Sequence, residues 1–275
     1  MDHSGYEALA VQVSGGIATV TIDNGPINLF DLGMYQAMAA LSHELAADDD
    51  VRVVVLCSAN PGWFIAHFDV ELILRFPARP APTTLSDFHL MCERFRTMPK
   101  ATIAVIEGRV GGGGSELAMS FDMRFGVIGK TIVNQMEVPL GIIPGGTGTQ
   151  RMPRLIGRHR ALEIILGGVD LDAETAAQWG YLNRALPAGD IHAYVGALAR
   201  RIASFPPEAV RLAKASVNAA DQPLAVGLEE ESYNFQRLIR TETGKRNMAR
   251  FLEIGGQTPD GERRVADLSA ELGAR

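Results

Sequence analysis

The chain has 275 residues, 47% of them hydrophobic and 21% charged, the balance of a soluble globular protein with enough chain to bury a large core. Its formal charge of −6 lacks the basic footprint that nucleic-acid binding needs. Two cysteines, Cys57 and Cys92, are too few for a disulfide framework or a zinc cluster and are expected as reduced core thiols. The start, MDHSGYEALA, has neither a basic segment nor a long apolar run, so no signal peptide is expected. No stretch approaches the ~20 apolar residues of a membrane span, which makes a cytoplasmic location the default expectation and excludes a membrane partner.

In chain order, Ala8–Val13 and Ile17–Ile22 read as a hairpin divided by Gly15-Gly16. Asn24-Gly25-Pro26 breaks the chain. Asp31 is placed to cap a helix running to about Ala47, with Met34, Met38, Leu41 and Leu45 at helical spacing. Val51–Cys57 is a nearly continuous β-branched run, as in a strand buried on both faces of a parallel sheet. A helix over Ser86–Met98, a second buried strand over Ala101–Ile106, a helix over Ser115–Phe121 and two short strands within 122–133 follow. Strand, loop and helix in alternation predict an α/β domain with crossover connections. Beyond Pro144 the pattern turns helical, over 147–156, 158–167, 172–179, 189–204, 206–220 and 223–254, with one β-like piece at Tyr181–Leu186. The division expected is an α/β core over 1–190, a helical region over 191–255 and a polar tail over 256–275 that frays or docks on a neighbour.

The most unusual segment is Glu107-Gly108-Arg109-Val110-Gly111-Gly112-Gly113-Gly114-Ser115-Glu116. Four consecutive glycines after a buried strand are entropically costly, so bare backbone is required there. A dinucleotide fingerprint fails because Glu116 stands at the third glycine position. A P-loop fails because Gly114 stands where lysine belongs. A nucleophile elbow on Ser115 fails because Leu117 replaces its last glycine. Two readings remain: a tightly packed strand–helix corner, or a turn that brings backbone N–H groups against a ligand, as in an oxyanion hole.

Glu116 begins the following helix, where a carboxylate either serves the helix dipole or does chemistry. Glu137 sits in Asn134-Gln135-Met136-Glu137-Val138-Pro139-Leu140. Taken alone it reads as a surface residue. If its apolar neighbours enclose it, they raise its pKa as a general acid requires. The loop Pro61–Val70 follows a strand, which is where α/β proteins place ligands. Its aromatic residues suit an apolar pocket, His67 is expected to orient the loop, and Asp69 is placed to cap a short helix. No histidine has a metal-ligand spacing: His43-Glu44 meets Ala47 where a zincin needs its second histidine. Arg151, Arg154, Arg158 and Arg160 are expected on a solvated helix face or at a subunit contact.

Several of these segments together resemble the enoyl-CoA hydratase/isomerase (crotonase) family. Phe64-Ile65-Ala66-His67-Phe68-Asp69-Val70 resembles its F-x-A-G-x-D-[IL] loop. Gly111–Met119 followed by Asp122 resembles its G-G-G-x-E-L-A segment with a downstream Asp. Gln135-Met136-Glu137, then Gly141–Gly146 and Gly148-Thr149-Gln150-Arg151, resemble its Q-P-E…G-x-x-P-G-x-G-G-T-Q-R-L stretch. Gly167–Asp170 with Ala173-Glu174 and Ala176-Ala177 resembles its G-x-x-[IF]-x-A-x-x-A-x-x-x-G-L-V segment. The matches keep their order from about residue 8 to about 250.

The resemblance implies a crotonase-like spiral core of ββα units with a C-terminal helical trimerisation region, assembled as a homotrimer or homohexamer. It implies an enoyl-CoA hydratase that adds water reversibly and syn to a trans-2-enoyl-CoA, with no cofactor beyond the coenzyme A thioester itself. The backbone N–H groups of Phe68 and Gly113 would hold the thioester oxyanion. Ala66, Phe68 and Val70 would line the coenzyme A path, with Gly112, Gly113 and Ile27 also on the substrate. Glu116 would deprotonate water for attack at C3, and Glu137 would donate a proton at C2. Both acids are kept, which favours hydration over a double-bond isomerase or other enolate chemistry, and over a non-catalytic acyl-CoA-binding scaffold. Three departures stand out. Met136 replaces the proline before the second acid, and His67 replaces a glycine. Gly25 stands where a lysine often meets the coenzyme phosphates, so those contacts are expected from elsewhere, such as a neighbouring subunit's arginine. Acyl chain length is expected to rest on residues 70–98 and the C-terminal helices.

Overall fold

The computed structural model describes residues 3–75, 84–258, 261 and 263–273. Met1-Asp2 of the chain start, 76–83 of the stretch expected to set pocket depth, and 259, 260, 262, 274 and 275 of the tail lie outside the described residues.

The hairpin pairs β1 (Leu9–Ser14) with β2 (Ile17–Ile22) antiparallel. The rest of the main sheet is parallel: β3 (Val53–Ser58), β5 (Ala101–Ile106), β7 (Met123–Val127) and β10 (Arg184–Leu186), in the order β1-β2-β3-β5-β7-β10. The buried runs form strands covered on both faces. Val54, Leu56, Ala104 and Ile106 face one cluster, shared with Met34, Met38, Leu41 and Leu45 of α1 (Leu32–Ala47). Val53, Val55, Ile103 and Val105 face the other, against Ile191, Val195, Ala199 and Ala203 of α8 (Ile191–Ala203). The period-2 alternation of a strand sends neighbouring residues to opposite faces, so both faces must be apolar. Asp31 caps α1 by accepting from the Met34 amide at 2.9 Å. Cys57 and Cys92 are buried and unbridged.

A second sheet escapes the sequence pattern. It joins β4 (Trp63–Ile65), β6 (Arg109–Gly111), β8 (Ile132–Asn134) and β9 (Leu171–Asp172), in that order. Each of its first three strands follows a strand of the main sheet: β3 leads to β4, β5 to β6 and β7 to β8. Helices then return the chain: α2 (Val70–Leu74) and α3 (Asp87–Thr97), α4 (Gly112–Ala118), and α5 (Gly148–Ile156) with α6 (Arg158–Gly167). This repetition is the expected spiral of ββα units. Strands of two or three residues carry too little periodicity to be read from sequence.

The helical half shows three corrections. The helix expected from Ser115 begins at Gly112, so Glu116 lies in its second turn. The single helix expected over 223–254 is two, α10 (Leu224–Leu238) and α11 (Glu242–Glu253). Thr241 marks the break: its hydroxyl accepts from the Gly244 amide at 3.0 Å and starts a new helix. Part of the polar tail is helical: α12 (Val265–Gly273) buries Leu268 and docks on its own chain, where the Arg201 guanidinium donates to the Ala266 carbonyl at 2.7 Å. Between these, α7 (Ala173–Trp179) precedes β10, and α9 (Pro207–Asn218) links α8 to α10. Among the described residues no helix is long and apolar enough to cross a membrane.

Candidate active site

The site forms where β4, β6 and β8 end. Two loops from separate parts of the chain lie side by side there. The Phe30 amide donates to the His67 carbonyl at 2.9 Å, the Ala66 amide to Ile27 at 3.2 Å and the Asp69 amide to Phe30 at 3.1 Å. Fully buried Asn28 fastens them. Its side-chain amide donates to the carbonyls of Trp63 (3.0 Å) and Phe64 (3.1 Å) and to the Ser58 hydroxyl (2.7 Å). Asn28 is left-handed, with φ of 48°, a conformation its short polar side chain tolerates. His67 Nδ1 shares a 2.9 Å hydrogen bond with the Phe68 carbonyl within the same loop. Asp69 caps α2, accepting from the Glu71 amide at 2.8 Å.

Close packing accounts for two residues of the glycine run. A methyl group on Gly111 would lie 2.6 Å from the Ala66 carbonyl oxygen, and one on Gly114 2.6 Å from Ile65. These two are bare because β6 and α4 press against the preceding loop. The middle pair lies beside Glu137, His67 and Phe68. Gly112 has φ of 46°, and a methyl there would lie 3.1 Å from Glu137 Oε1 and 3.2 Å from the His67 Cβ. A methyl on Gly113 would lie 3.6 Å from the Phe68 amide nitrogen. The fold thus brings Phe68, Gly112, Gly113 and Glu137 together from three segments.

A cavity of about 450 Å³ opens there, lined by Tyr35, Phe68, Phe88, Gly113, Glu116, Glu137, Ile142, Ile143 and Gly146 among others. Ile27, Ala66, Val70 and Gly112 do not line it. Ile27 and Ala66 instead meet each other through their backbones, and Val70 opens α2. One wall is aromatic: Phe68 lies 5.8 Å from both Phe30 and Phe88, and Tyr35 stacks on Phe88 at 6.1 Å. Larger clefts of about 630 and 590 Å³ lie against the C-terminal helices and contain neither acid.

The two acids have different surroundings. Glu116 is 4% exposed. Its Oε1 accepts from the Gly146 and Gly148 amides, both at 2.8 Å. Burial raises its pKa, and those N–H groups oppose the rise by favouring the charged form. Glu137 is 8% exposed, so it is no surface residue. Burial first, and the Glu116 charge second, push its pKa up to about 7. Gln135 satisfies its neighbours with its amide nitrogen toward Glu137, donating to the two carboxyl oxygens at 3.0 and 2.9 Å, and with its Oε1 accepting from the Ser115 hydroxyl at 3.1 Å. Two buried carboxyls in one cavity, one anchored by backbone N–H groups and the other with its pKa near 7, can serve as proton acceptor and donor.

Sequence reasoning missed the amides of Gly146 and Gly148, which lie in the quoted glycine stretch but act through backbone. It also missed Gln135 as a side-chain partner, Tyr35 and Phe88 as walls, and Ser115 as anything beyond a failed nucleophile. Arg151 departs from the solvated face expected of the arginine run: it is largely buried and pairs with Glu93. Among the described residues no group of His, Cys, Asp or Glu is placed to hold a metal ion.

Comparison with known proteins gives one consistent family. The family described as Enoyl-CoA hydratase/isomerase matches residues 12–258. The chain is 32% identical over 242 residues to the probable enoyl-CoA hydratase 2, mitochondrial, of Arabidopsis thaliana, covering 86% of this chain and 79% of the relative. It is 29% identical over 245 residues to the short-chain-enoyl-CoA hydratase of Clostridium acetobutylicum, covering 88% and 94%. Among solved structures, a putative enoyl-CoA hydratase from Streptomyces avermitilis aligns with a TM-score of 0.74 at 34% identity, covering 98% of this chain and all of that one. An enoyl-CoA hydratase from Geobacillus kaustophilus aligns with a TM-score of 0.83 at 29% identity, covering 93% and 97%. By fold and by the match along most of its length, the chain belongs to the enoyl-CoA hydratase/isomerase family.

Proposed function

We propose that the chain hydrates a trans-2-enoyl-CoA to a 3-hydroxyacyl-CoA, reversibly and without a further cofactor. The observation that carries this reading is the unequal acid pair: Glu116 anchored by two backbone N–H groups, and Glu137 buried across the same cavity with its pKa pushed up to about 7. An isomerase needs one carboxyl to move a proton between carbons, whereas adding water needs a base for the water and an acid for the carbon.

In this reading Glu116 takes a proton from water as the water oxygen bonds to C3. The C2=C3 electron pair moves toward the thioester carbonyl, whose oxygen becomes an enolate oxyanion. The amides of Gly113 and Phe68 face that oxygen, with the negative charge developing near the start of α4. The enolate collapses as Glu137 gives its proton to C2. A proton passed from Glu116 to Glu137, directly or through solvent, restores the pair. The aromatic wall of Phe68, Phe88 and Tyr35 excludes bulk water, which strengthens both steps by lowering the local dielectric.

The same reading includes assembly into a trimer or hexamer. It is supported by large apolar residues left exposed on α10 and α11, including Leu224, Tyr233, Phe235 and Leu252. The test of function mixes purified protein with a short and a medium trans-2-enoyl-CoA and follows loss of the conjugated thioester absorbance, with product mass. A water adduct, lost in Glu116→Gln, supports hydration. Binding without a water adduct supports a double-bond isomerase, with a 3-enoyl-CoA tried next. Acyl-CoA binding with no turnover of either substrate supports the non-catalytic acyl-CoA-binding scaffold.

A further inference from the structure

Behind Glu137 lies a line of buried polar groups that the proposed chemistry does not use directly. Gln135 stands between Glu137 and Ser115. The Ser115 hydroxyl lies 2.8 Å from the Tyr181 hydroxyl. Gln135, Ser115 and Tyr181 are all fully buried.

The donor directions follow from the chemistry of each group. With Glu137 ionised, the Gln135 amide nitrogen faces the carboxylate, so its Oε1 accepts the single Ser115 hydroxyl proton. Ser115 then has lone pairs but no proton for Tyr181, so the Tyr181 phenol must donate to Ser115. The Gln135 amide nitrogen is left to donate to Glu137, one N–H shared between its two oxygens. Each bond in the line then donates toward the ionised Glu137, the arrangement in which successive hydrogen bonds polarise and strengthen one another. The far end is fixed. The Arg124 guanidinium lies 5.8 Å from the Tyr181 ring centroid and donates to the Tyr181 carbonyl at 2.7 Å. Burial raises the Tyr181 pKa to about 12, so the phenol keeps the proton it donates. Tyr181 stands where the G-L-V end of the family pattern has leucine, so the phenol is not part of that pattern.

We infer that Tyr181, Ser115 and Gln135 form a one-way relay of donors that positions the Glu137 carboxyl for proton transfer, Tyr181 and Ser115 acting as positioning residues that never touch substrate. Without the relay the Gln135 amide can turn, and its oxygen then faces Glu137. That face repels a carboxylate and accepts from a protonated acid, so relay loss favours the protonated form. The other charged or titratable groups around Glu137 and the relay are Glu116 on α4, His67 beside Gly112, and Arg124 beyond Tyr181. None of them is altered by removing a hydroxyl from Tyr181 or Ser115.

The kinetic arm of the test rests on the hydratase reading; the titration arm does not. The variants are Tyr181→Phe and Ser115→Ala, each removing one hydroxyl and adding no atoms. Carbon NMR of labelled glutamate, with Glu137 assigned by its loss in Glu137→Gln, gives the Glu137 titration midpoint. The midpoint is expected to rise by roughly half a unit to one unit in both variants. For hydration of a short trans-2-enoyl-CoA, kcat is expected to fall roughly three- to tenfold with KM within about twofold, and the alkaline limb to move up with the midpoint. Folded variants with an unchanged midpoint overturn the relay, as does a change in KM alone. Should a variant fail to fold, the wild-type protein decides: the Gln135 Nε2 and Tyr181 Cζ resonances must follow the Glu137 titration, and resonances that ignore it overturn the inference. A wild-type protein that does not hydrate enoyl-CoA removes the hydratase reading, while the NMR titration still decides the relay.

Discussion

Replacing Glu137 by Gln should stabilise the protein at alkaline pH while removing its activity. In the folded chain the Glu137 pKa stands at about 7, against an ordinary 4.5. At 1.36 kcal/mol per pKa unit this displacement is worth about 3 kcal/mol. Its sign follows from proton counting. Between about 4.5 and 7 the unfolded chain has released this proton and the folded chain still holds it, so stability falls as pH rises through that window. The amide of Glu137→Gln matches the protonated acid in shape and never ionises. Its oxygen can still accept from Gln135. Urea unfolding at fixed protein concentration should therefore give variant and wild type similar stabilities at pH 4.5. The variant should lead by about 3 kcal/mol at pH 8, with most of the gain appearing between those values. Hydration should fall by roughly 10²- to 10⁴-fold, the usual worth of a positioned proton donor. A stability difference that stays flat from pH 4.5 to 8 would refute the assignment of a buried, charge-repelled acid at this position.

Further expectations concern the pair and its supports. For wild type, kcat/KM should decline above about pH 7 as Glu137 loses its proton. Hydration and dehydration should decline together, because the reactive pair holds one proton in both directions and the overall reaction releases none; divergent profiles for the two directions would contradict the scheme. A methyl group at Gly146 would lie 2.5 Å from the Phe88 ring and 2.6 Å from Glu116 Oε2, so Gly146→Ala should displace the base and lower kcat by about 10²-fold, measurable beside an unchanged circular dichroism spectrum. Asn28→Ala removes the buried amide that binds Ser58, Trp63 and Phe64; chemical denaturation should show a loss of about 3 kcal/mol.

The parts of this fold that were legible in the sequence are those whose signal is long and local. Val53–Ser58 and Ala101–Ile106 are strands buried by sheet and helix on both sides, and their runs of apolar residues say so. Asp31 and the Met34, Met38, Leu41, Leu45 stripe mark α1 in the same way. The second sheet was not legible, because Arg109–Gly111 and Ile132–Asn134 are each three residues long. Their partners lie tens of residues away, and nothing local specifies the pairing. The break before Glu242 was missed for a different reason: apolar periodicity runs through it, and the interruption comes from one hydroxyl, that of Thr241.

The site divides along the same line. Glu116, Glu137 and the glycine run stand out by residue type, but the difference between the acids does not. By sequence Glu116 reads as a helix-start carboxylate and Glu137, taken alone, as a surface residue, yet both are buried in the fold. What separates them is the kind of donor each meets. Glu116 receives backbone N–H groups at Gly146 and Gly148. Those groups are fixed by the turn into α5 and cannot reorient, so they steadily oppose the rise that burial causes. Glu137 receives a side-chain amide whose direction depends on Ser115, and through it on Tyr181. A glutamine amide can present either end, so its effect on the acid is set by the groups behind it. A rigid partner makes one carboxyl a dependable base, and an adjustable one lets the other be poised near neutrality. That division of roles is written in hydrogen-bond geometry, which residue identity alone does not reveal.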